Sequence, residues 1–512
     1  MILKKIKNYL LLTKNALFFD KHEKKFIKLN QCNALKNNLK KKNILIQVFM
    51  DYYYLAYYQT LINDPKYSSY NFIGLWPYFQ PTQRKTNIIL ETLLILFNYF
   101  LYLFLYLKWK KLYQSIGVIK FEKLNSILLL KKKRILFKSR KDILNFKIDS
   151  IYIGDLLYDT YLRFRAYPTI RLKDFFLNKL IYKCFQIILN LENIYKKYRF
   201  TIFFTSYSSY IMNGLPVRFF LKKKIKVFSG KNNSQYNKLL SKKDALHNEN
   251  YKKFKLLSNK ISKNDKLLKF SRLNLLQRFS KNKKRLDNLS YLHTDTYNIK
   301  KNSSEEIVKL KNIDGVLFMQ DFFDSPHDWG KLAFDDYYIW TIFTLNIIKK
   351  YNLNIGIKPH PNCFYNSKDS TIFYERLKKK YNKLIWIDEN FPNKLIFKKI
   401  KFGISANGTV LFELAYHNIK AVSCGDHPGK DFNFTINAKN KNEYRNILLN
   451  IHKIKKPFYS KKDLLIYNYL YYFYNNDAFE NVARKINLKN INLSESSGLN
   501  LFFEKYEKFK NN

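Results

Sequence analysis

The chain has 512 residues, 46% of them hydrophobic, with 93 Lys and Arg against 39 Asp and Glu for a net charge of +54. That length suits two or three domains of roughly 100–200 residues each, and the apolar share together with 13 Gly and 11 Pro excludes disordered and fibrous classes. The charge does not mark a dedicated nucleic-acid binder: Lys, Asn, Ile, Tyr and Phe, the residues of A/T-rich codons, rise together, and the lysines are spread along the chain.

The first 40 residues form a basic segment. Its start, MILKKIKNYLLLTKNALFF, has no clean apolar core and no small-residue cleavage site, so no signal peptide is expected. ILIQVF (44–49) is a continuous apolar run, as a buried parallel strand is. DYYYLAYYQTLI (51–62) reads as a helix and YNFIGLW (70–76) as a second strand. From Ile88 to Lys111 runs IILETLLILFNYFLYLFLYLKWKK, whose apolar part of about 20 residues is long enough to span a bilayer. Glu91 and Asn98 interrupt it, and Lys108, Lys110 and Lys111 follow. A core helix, or one lying in a membrane interface with Tyr and Trp at its edge, is therefore expected ahead of a span. GVIKF (117–121) and SILLL (126–130) are short strand or helix candidates, and residues 200–230 read as strand, loop, helix, strand. This alternation predicts βαβ units around a parallel sheet.

From about Lys231 to Asn312 the chain turns Lys-, Asn- and Ser-rich, which predicts a linker with irregular helices. Beyond it the alternation is clear. GVLFMQDFF (315–323), LNIGIKPHPN (353–362), KLIWIDEN (383–390), KFGISANG (401–408) and IKAVSCGDHPG (419–429) read as strands with their loops, and helical stretches separate them. Ligands of such open sheets bind at the carboxyl ends of the strands. His360, Asp388, Ser405, Asn407, Gly408 and His427 all fall there.

Two loops carry most of the chemistry. In ISANGTVLFELA (404–415) a strand ends in a polar turn and a helix begins near Thr409. Unpaired amides at such a helix start suit a phosphate, and Gly408 permits close backbone approach. Ser405 and Thr409 offer hydroxyls, and Glu413, one turn on, can accept from two ribose hydroxyls; a capped surface turn is the plainer alternative. In KPHPN two prolines stiffen the loop and present His360, with Lys358 adding charge. DSPHDWG (324–330) sets Asp324, His327 and Asp328 at another strand end, where His327 can serve as general base or phosphate donor; a capping box and loop is the alternative. In the first half Asp155 is a candidate acceptor-activating base. Asp159 and Arg163 follow on the same face if that segment is helical, and an ion-paired surface helix is the alternative. Cys32, Cys184, Cys363 and Cys424 form no CxxC pair and read as free thiols in a reducing compartment; no metal site or cofactor is expected.

VLFMQDFFDSPHDWG, GIKPHPN and GISANGTVLFELAYHNIKAVSCGDHP together resemble bacterial capsular polysaccharide biosynthesis proteins. These are similar to glycosyltransferases of the two-Rossmann-domain (GT-B) type and to the related UDP-N-acetylglucosamine 2-epimerases. The likeness covers roughly residues 313–445, is weaker over 40–230, and is absent from the Lys-rich middle. It implies an α/β fold of two Rossmann-like domains facing a cleft. It also implies that His360 faces the donor diphosphate or sugar, that Ser405, Asn407, Gly408 and Thr409 hold phosphate, that Glu413 holds the ribose, and that the loop of His427 approaches the donor sugar. The epimerases show a Ser-Gly-Gly turn followed by paired acids. Here the turn is Ser-Ala-Asn-Gly-Thr with the single Glu413, which favours transfer over epimerisation. A His-Pro loop of this kind is also kept by polyol-phosphate transferases.

The expected organisation is thus a basic segment (1–40), an acceptor domain (41–230), a linker (231–312), a nucleotide-sugar domain (313–460) and a helical tail (461–512). The expected function is glycosyl transfer from a nucleotide-sugar donor to a glycan or glycolipid, in the cytoplasm and at the inner face of the membrane, with peripheral contact to anionic lipid and no specific nucleic acid. A nucleotide-sugar 2-epimerase, a polyol-phosphate transferase, and a basic lipid- or nucleic-acid-binding protein with a relict site are the alternatives.

Overall fold

The computed structural model of the protein describes residues 17–34, 42–77, 88–124, 135–165, 167–206, 208–230, 237–240, 252–280, 297, 304–361, 368–474, 491–493 and 495–511. The expected element at 126–130 lies outside them.

The first half is built on a six-stranded sheet. After helix α1 (Lys21–Ala34) come β1 (Lys42–Gln47), α2 (Tyr52–Ile62), β2 (Tyr70–Trp76), α3 (Ile88–Ser115) and β3 (Val118–Lys123). A short helix α4 (Arg140–Leu144) and the hairpin β4 (Lys147–Ile148) and β5 (Ile151–Tyr152) lead to α5 (Gly154–Arg165) and α6 (Phe175–Tyr198). β6 (Ile202–Thr205), α7 (Leu215–Lys222), β7 (Lys226–Gly230) and β8 (Asn237–Leu239) complete it. The strand order is β3-β2-β1-β6-β7-β8, parallel throughout except that β8 runs antiparallel to β7. Ile44, Leu45 and Ile46 of β1 are wholly buried, as a central strand covered on both faces requires. One face is covered by α5, α6 and α7 through Leu157, Tyr161, Leu180, Ile187 and Phe220. The other is covered by α2 and the last ten residues of α3, through Tyr58, Leu61, Trp109, Leu112 and Tyr113. Among the described residues no helix is long and apolar enough to cross a membrane.

The second half carries a five-stranded sheet. α8 (Lys252–Ser262), α9 (Asp265–Phe279) and α10 (Ser304–Lys309) precede β9 (Gly315–Phe318). α11 (Tyr337–Tyr351), β10 (Ile355–Lys358), α12 (Lys368–Lys380), α13 (Asn393–Phe397), β11 (Phe402–Ile404), α14 (Val410–Tyr416), β12 (Lys420–Ser423), β13 (Ile436–Asn437) and α15 (Lys441–Leu449) follow. The order is β10-β9-β11-β12-β13, all parallel. Trp386 adds a single parallel bridge to Ile357 where a full strand is expected. Gly315 is required by packing: a Cβ there would stand 2.2 Å from the Phe402 ring on β11. The chain is α/β, with two Rossmann-like domains.

The segment read as a linker holds α8 and α9. Their Phe254, Ile261 and Leu275 share a core with α16 (Lys461–Tyr472) and with Phe412, Phe432 and Phe434. The tail divides. α16 stays with this second half, whereas α17 (Ser497–Asn511) returns to the first and buries Leu499, Phe502 and Tyr506 against α1 and α2.

One carboxylate ties the two halves. Asp336 caps α11, its Oδ1 accepting from the Ile339 amide at 2.8 Å, while its Oδ2 accepts from Tyr158 and Thr169 of the first half, each at 2.6 Å. Asp336→Ala removes a helix cap and orphans two hydroxyl donors. A loss of about 3 kcal/mol in urea unfolding is expected, with Asp336→Asn costing less because it keeps the cap.

Candidate functional site

The carboxyl ends of the second sheet present their loops in the strand order: Lys358 and His360 after β10, Gln320 and Asp321 after β9, Ser405 to Thr409 after β11, and Gly425 to His427 after β12. The β9 loop therefore lies between the His360 loop and the Gly408 turn, two strand spacings or roughly 10 Å apart. Gln320 fills the interval. Its Nε2 donates to Ser405 Oγ at 2.7 Å, and a Cβ at Gly408 would stand 2.7 Å from that nitrogen, so a larger residue there has to displace the Gln320 amide. Asn407 Oδ1 accepts from the Tyr337 hydroxyl at 2.8 Å. Thr409 is exposed at the start of α14 and makes no side-chain cap.

Lys358 ends β10 fully enclosed, 2% exposed, and its Nζ donates to the Glu389 carbonyl at 3.0 Å. Burial brings its ammonium down to about 8, against the opposing pull of Glu389, Glu413 and Asp388. His360 is lowered from the ordinary histidine value by burial, with Asp321 and Asp324 opposing and Lys358 adding to the fall. A neutral imidazole beside a buried cation is thus the resting state of this strand end.

Three sequence candidates have partners within the fold. Both Asp155 oxygens are clamped by Arg218, Nη1 at 2.6 Å and Nη2 at 2.8 Å, and Oδ1 also accepts from the Leu156 amide. The bidentate guanidinium thus occupies both oxygens of this carboxylate. Glu413 accepts from Arg278 Nη2 at 2.8 Å, both side chains being buried, and the same guanidinium donates to the Tyr472 hydroxyl at 2.9 Å. His427 is tied into its own loop, Nε2 lying 2.8 Å from Thr435 Oγ1 and 3.3 Å from Asn437 Oδ1. Burial takes it down to about 4, so it stays neutral.

His327 stands differently. Its Nδ1 lies 2.6 Å from Asp159 Oδ1 across the junction of the two halves, and its backbone amide donates to Asp159 Oδ2 at 3.3 Å. Both side chains are buried, and His327 Nε2 is enclosed without a hydrogen-bond partner. Asp159 is therefore joined not to Arg163, as the helical spacing suggests, but to a histidine 168 residues away. Burial pushes the Asp159 carboxyl up to about 7, with His327 holding it back. Burial alone would depress His327, but Asp159, Asp155 and Asp336 hold it above the ordinary histidine value.

Asp328 is buried alongside and is also pushed up to about 7 by burial, with Ser325 and Ser209 hydrogen bonds opposing and Asp324 adding. Ser325 Oγ donates to Asp328 Oδ2 at 2.5 Å. The loop after β6 closes this pocket of acids. Tyr210, which contacts Ser325, takes φ +60°, a left-handed conformation that costs a non-glycine residue about 1 kcal/mol or more and that gathers at functional sites. Among the described residues no group of three or more His, Cys, Asp or Glu is placed to hold a metal ion.

Sequence reasoning passed over Gln320, Arg278, Tyr337 and Asp336. Only Asp336 carried a local signal, an aspartate directly before an apolar helix.

The protonation of this cluster has one sign. Between an ordinary aspartate's 3.8 and about 7, native Asp159 and Asp328 keep protons that the unfolded chain releases, so stability falls as pH rises through that window. His327 adds to it: a raised histidine stabilises fully below 6.5 and loses that contribution as pH rises through its native value. The double variant Asp159→Asn, Asp328→Asn is expected to show a flatter decline of the urea midpoint over that range than the wild type. Equal slopes would mean that both carboxyls are ionised in the native state.

No family model and no curated protein matches the sequence. In structure the chain is similar to UDP-GlcNAc 2-epimerase from Methanocaldococcus jannaschii, at 10% identity and a TM-score of 0.24 over 87% of this chain and 99% of that one. It is likewise similar to a glycosyltransferase from Rickettsia africae, at 12% identity and a TM-score of 0.24 over 92% and 99%. Sucrose-phosphate synthase from Thermosynechococcus elongatus matches at 8% identity and a TM-score of 0.27 over 88% and 98%.

Proposed function

We propose that the protein is a glycosyltransferase that moves a sugar from a nucleotide-sugar donor to a hydroxyl of a glycan or glycolipid, in the assembly of a bacterial capsule or other surface polysaccharide at the inner face of a membrane. The observation that carries this reading is the His327 imidazole, fixed by Asp159 on one nitrogen and unpartnered on the other, at the seam between the two domains.

An imidazole held this way is a general base with its orientation set in advance. In the proposed reaction His327 Nε2 takes the proton of the acceptor hydroxyl as its oxygen bonds to the anomeric carbon. The bond from that carbon to the donor phosphate breaks, and its electron pair leaves with the nucleotide. Asp159 holds the Nδ1 proton and stabilises the imidazolium that forms. The leaving phosphate is received by Lys358, His360, Ser405, Thr409 and the backbone at Gly408, so that charge is met where it develops. The acceptor-activating role first given to Asp155 passes in this reading to His327, because Arg218 occupies Asp155. Asn407 and His427 shape the donor loops. Glu413 meets the ribose with the oxygen that Arg278 does not engage.

A second reading is supported by a separate observation. Asp159 and Asp328 are both raised to about 7, and two such carboxyls can give and take a proton at a sugar carbon, as a nucleotide-sugar 2-epimerase must. Incubation of the protein with a panel of UDP-, GDP-, CDP- and CMP-sugars in deuterated water separates the two. Epimerisation labels the sugar ring without acceptor, whereas transfer consumes donor only when acceptor is present and leaves the ring unlabelled. Under the transfer reading His327→Ala is expected to lower turnover by about 10²–10⁴-fold while nucleotide still raises the melting temperature. Lys358→Met is expected to weaken that nucleotide shift. Full turnover by His327→Ala would refute the assignment.

A further inference from the structure

We infer that the face formed by α1, the residues just before it, and α3 docks on an anionic lipid bilayer. The inference deepens the reading above by naming the surface at which a glycolipid acceptor is met, and it rests on that reading for its purpose but not for its chemistry.

Large apolar side chains stand open on this face: Phe18 at 65% exposure, Leu107 at 51%, Leu17 at 42%, and Leu29 and Phe104 at 40%. The segment of Leu17 and Phe18 lies against the stretch of α3 that carries Phe104 and Leu107. α1 lies against α3. The Phe18 carbonyl accepts from Lys108 Nζ at 3.0 Å, and the Phe19 ring lies 5.7 Å from Lys108 Nζ and 5.6 Å from Lys111 Nζ. Phe104, Leu107 and Lys111 follow one another at helical spacings of three and four along a single stripe of α3.

Among the described side chains of α3, Tyr106, Trp109, Leu112 and Tyr113 enter the core, while Phe104, Leu107 and Lys111 stay exposed.

Charge selects the occupant. Lys21, Lys24, Lys25 and Lys28 of α1 and Lys111 of α3 are exposed around the apolar side chains. The acids nearby are engaged: Glu23 is buried on Lys108 at 2.8 Å, Asp20 accepts from the first amides of α1, and Glu504 faces Lys25 at 3.8 Å. Two copies of this face would bring lysine against lysine. A bilayer of anionic headgroups over acyl chains satisfies both the lysines and the apolar side chains, each lysine at such a surface being worth roughly fivefold in affinity.

The full chain is sedimented with extruded vesicles of phosphatidylglycerol and phosphatidylethanolamine, and with vesicles of phosphatidylcholine alone. Three variants are compared: Phe104→Ser with Leu107→Ser, Lys21→Gln with Lys24→Gln and Lys28→Gln, and Thr371→Ser on α12 as control. Binding to the anionic vesicles alone is expected, reduced about tenfold by the apolar pair and by about two orders of magnitude by the three lysine changes. Circular dichroism and turnover of a water-soluble acceptor should stay unchanged in all three. Equal binding by the wild type and both surface variants, or no vesicle binding, overturns the inference. So does a concentration-dependent dimer that the apolar pair dissolves, since the face would then belong to a second copy. Vesicle binding without any sugar turnover would uphold this surface and count against the proposed reaction alone.

Discussion

The buried contact of Asp159 with His327 joins an acid from one sheet's helix to a base from the other sheet's loop. Enclosing a carboxylate and an imidazole away from water is costly unless each finds the other, and removing either leaves a stranded charge. The contact therefore ties chemistry to the relative position of the two halves. Asp336 reinforces it from a few residues along, taking Tyr158 and Thr169 onto one oxygen while starting α11 with the other. Two acids, one supplied by each half, thus tie the seam, and one of them, Asp159, orients the His327 imidazole.

Around that seam the acids come from both halves. Asp159 belongs to the first and Asp324, Asp328 and Asp336 to the second, with Arg218 satisfying Asp155. Acids also reach the strand ends of the second sheet, where Asp321 and Asp324 act on His360, and Glu389, Glu413 and Asp388 act on Lys358. Gln320, Ser405 and the Gly408 turn follow along the same strand ends.

The alternation of apolar strands and amphipathic helices was legible wherever a run was both buried and bounded, as at Ile44–Ile46, Ile355–Lys358 and Phe402–Ile404. α6, Phe175–Tyr198, went unread although it is long and half of it faces the core. The strand expected at 383–390 shrinks to one bridge at Trp386 because it lies outside β10 at the sheet's edge. The loops of the second sheet could be placed from sequence because each follows its own strand. Pairings across the chain could not. Nothing near Asp159 points to His327, and the local rule of i and i+4 offers Arg163 instead. Arg278 was hidden for another reason: it sits in a Lys- and Asn-rich stretch whose composition reads as linker, yet α9 carries it into the core beside Glu413. Composition describes what solvent sees of such a helix, and only three dimensions give the inner face.

The return of α17 to the first sheet bears on how the molecule is made. Ser496 donates to Asp20 across a separation of 476 residues, and Leu499, Phe502 and Tyr506 line the same core as Phe26 and Tyr58. A ribosome adding roughly 5–20 residues per second needs on the order of half a minute or more to bridge that interval. During it the apolar flank of α1 and α2 stands uncovered. The half of the protein that is synthesised first is thus the last to be sealed, and nascent chains depend on whatever shields that flank until residues 497–511 arrive.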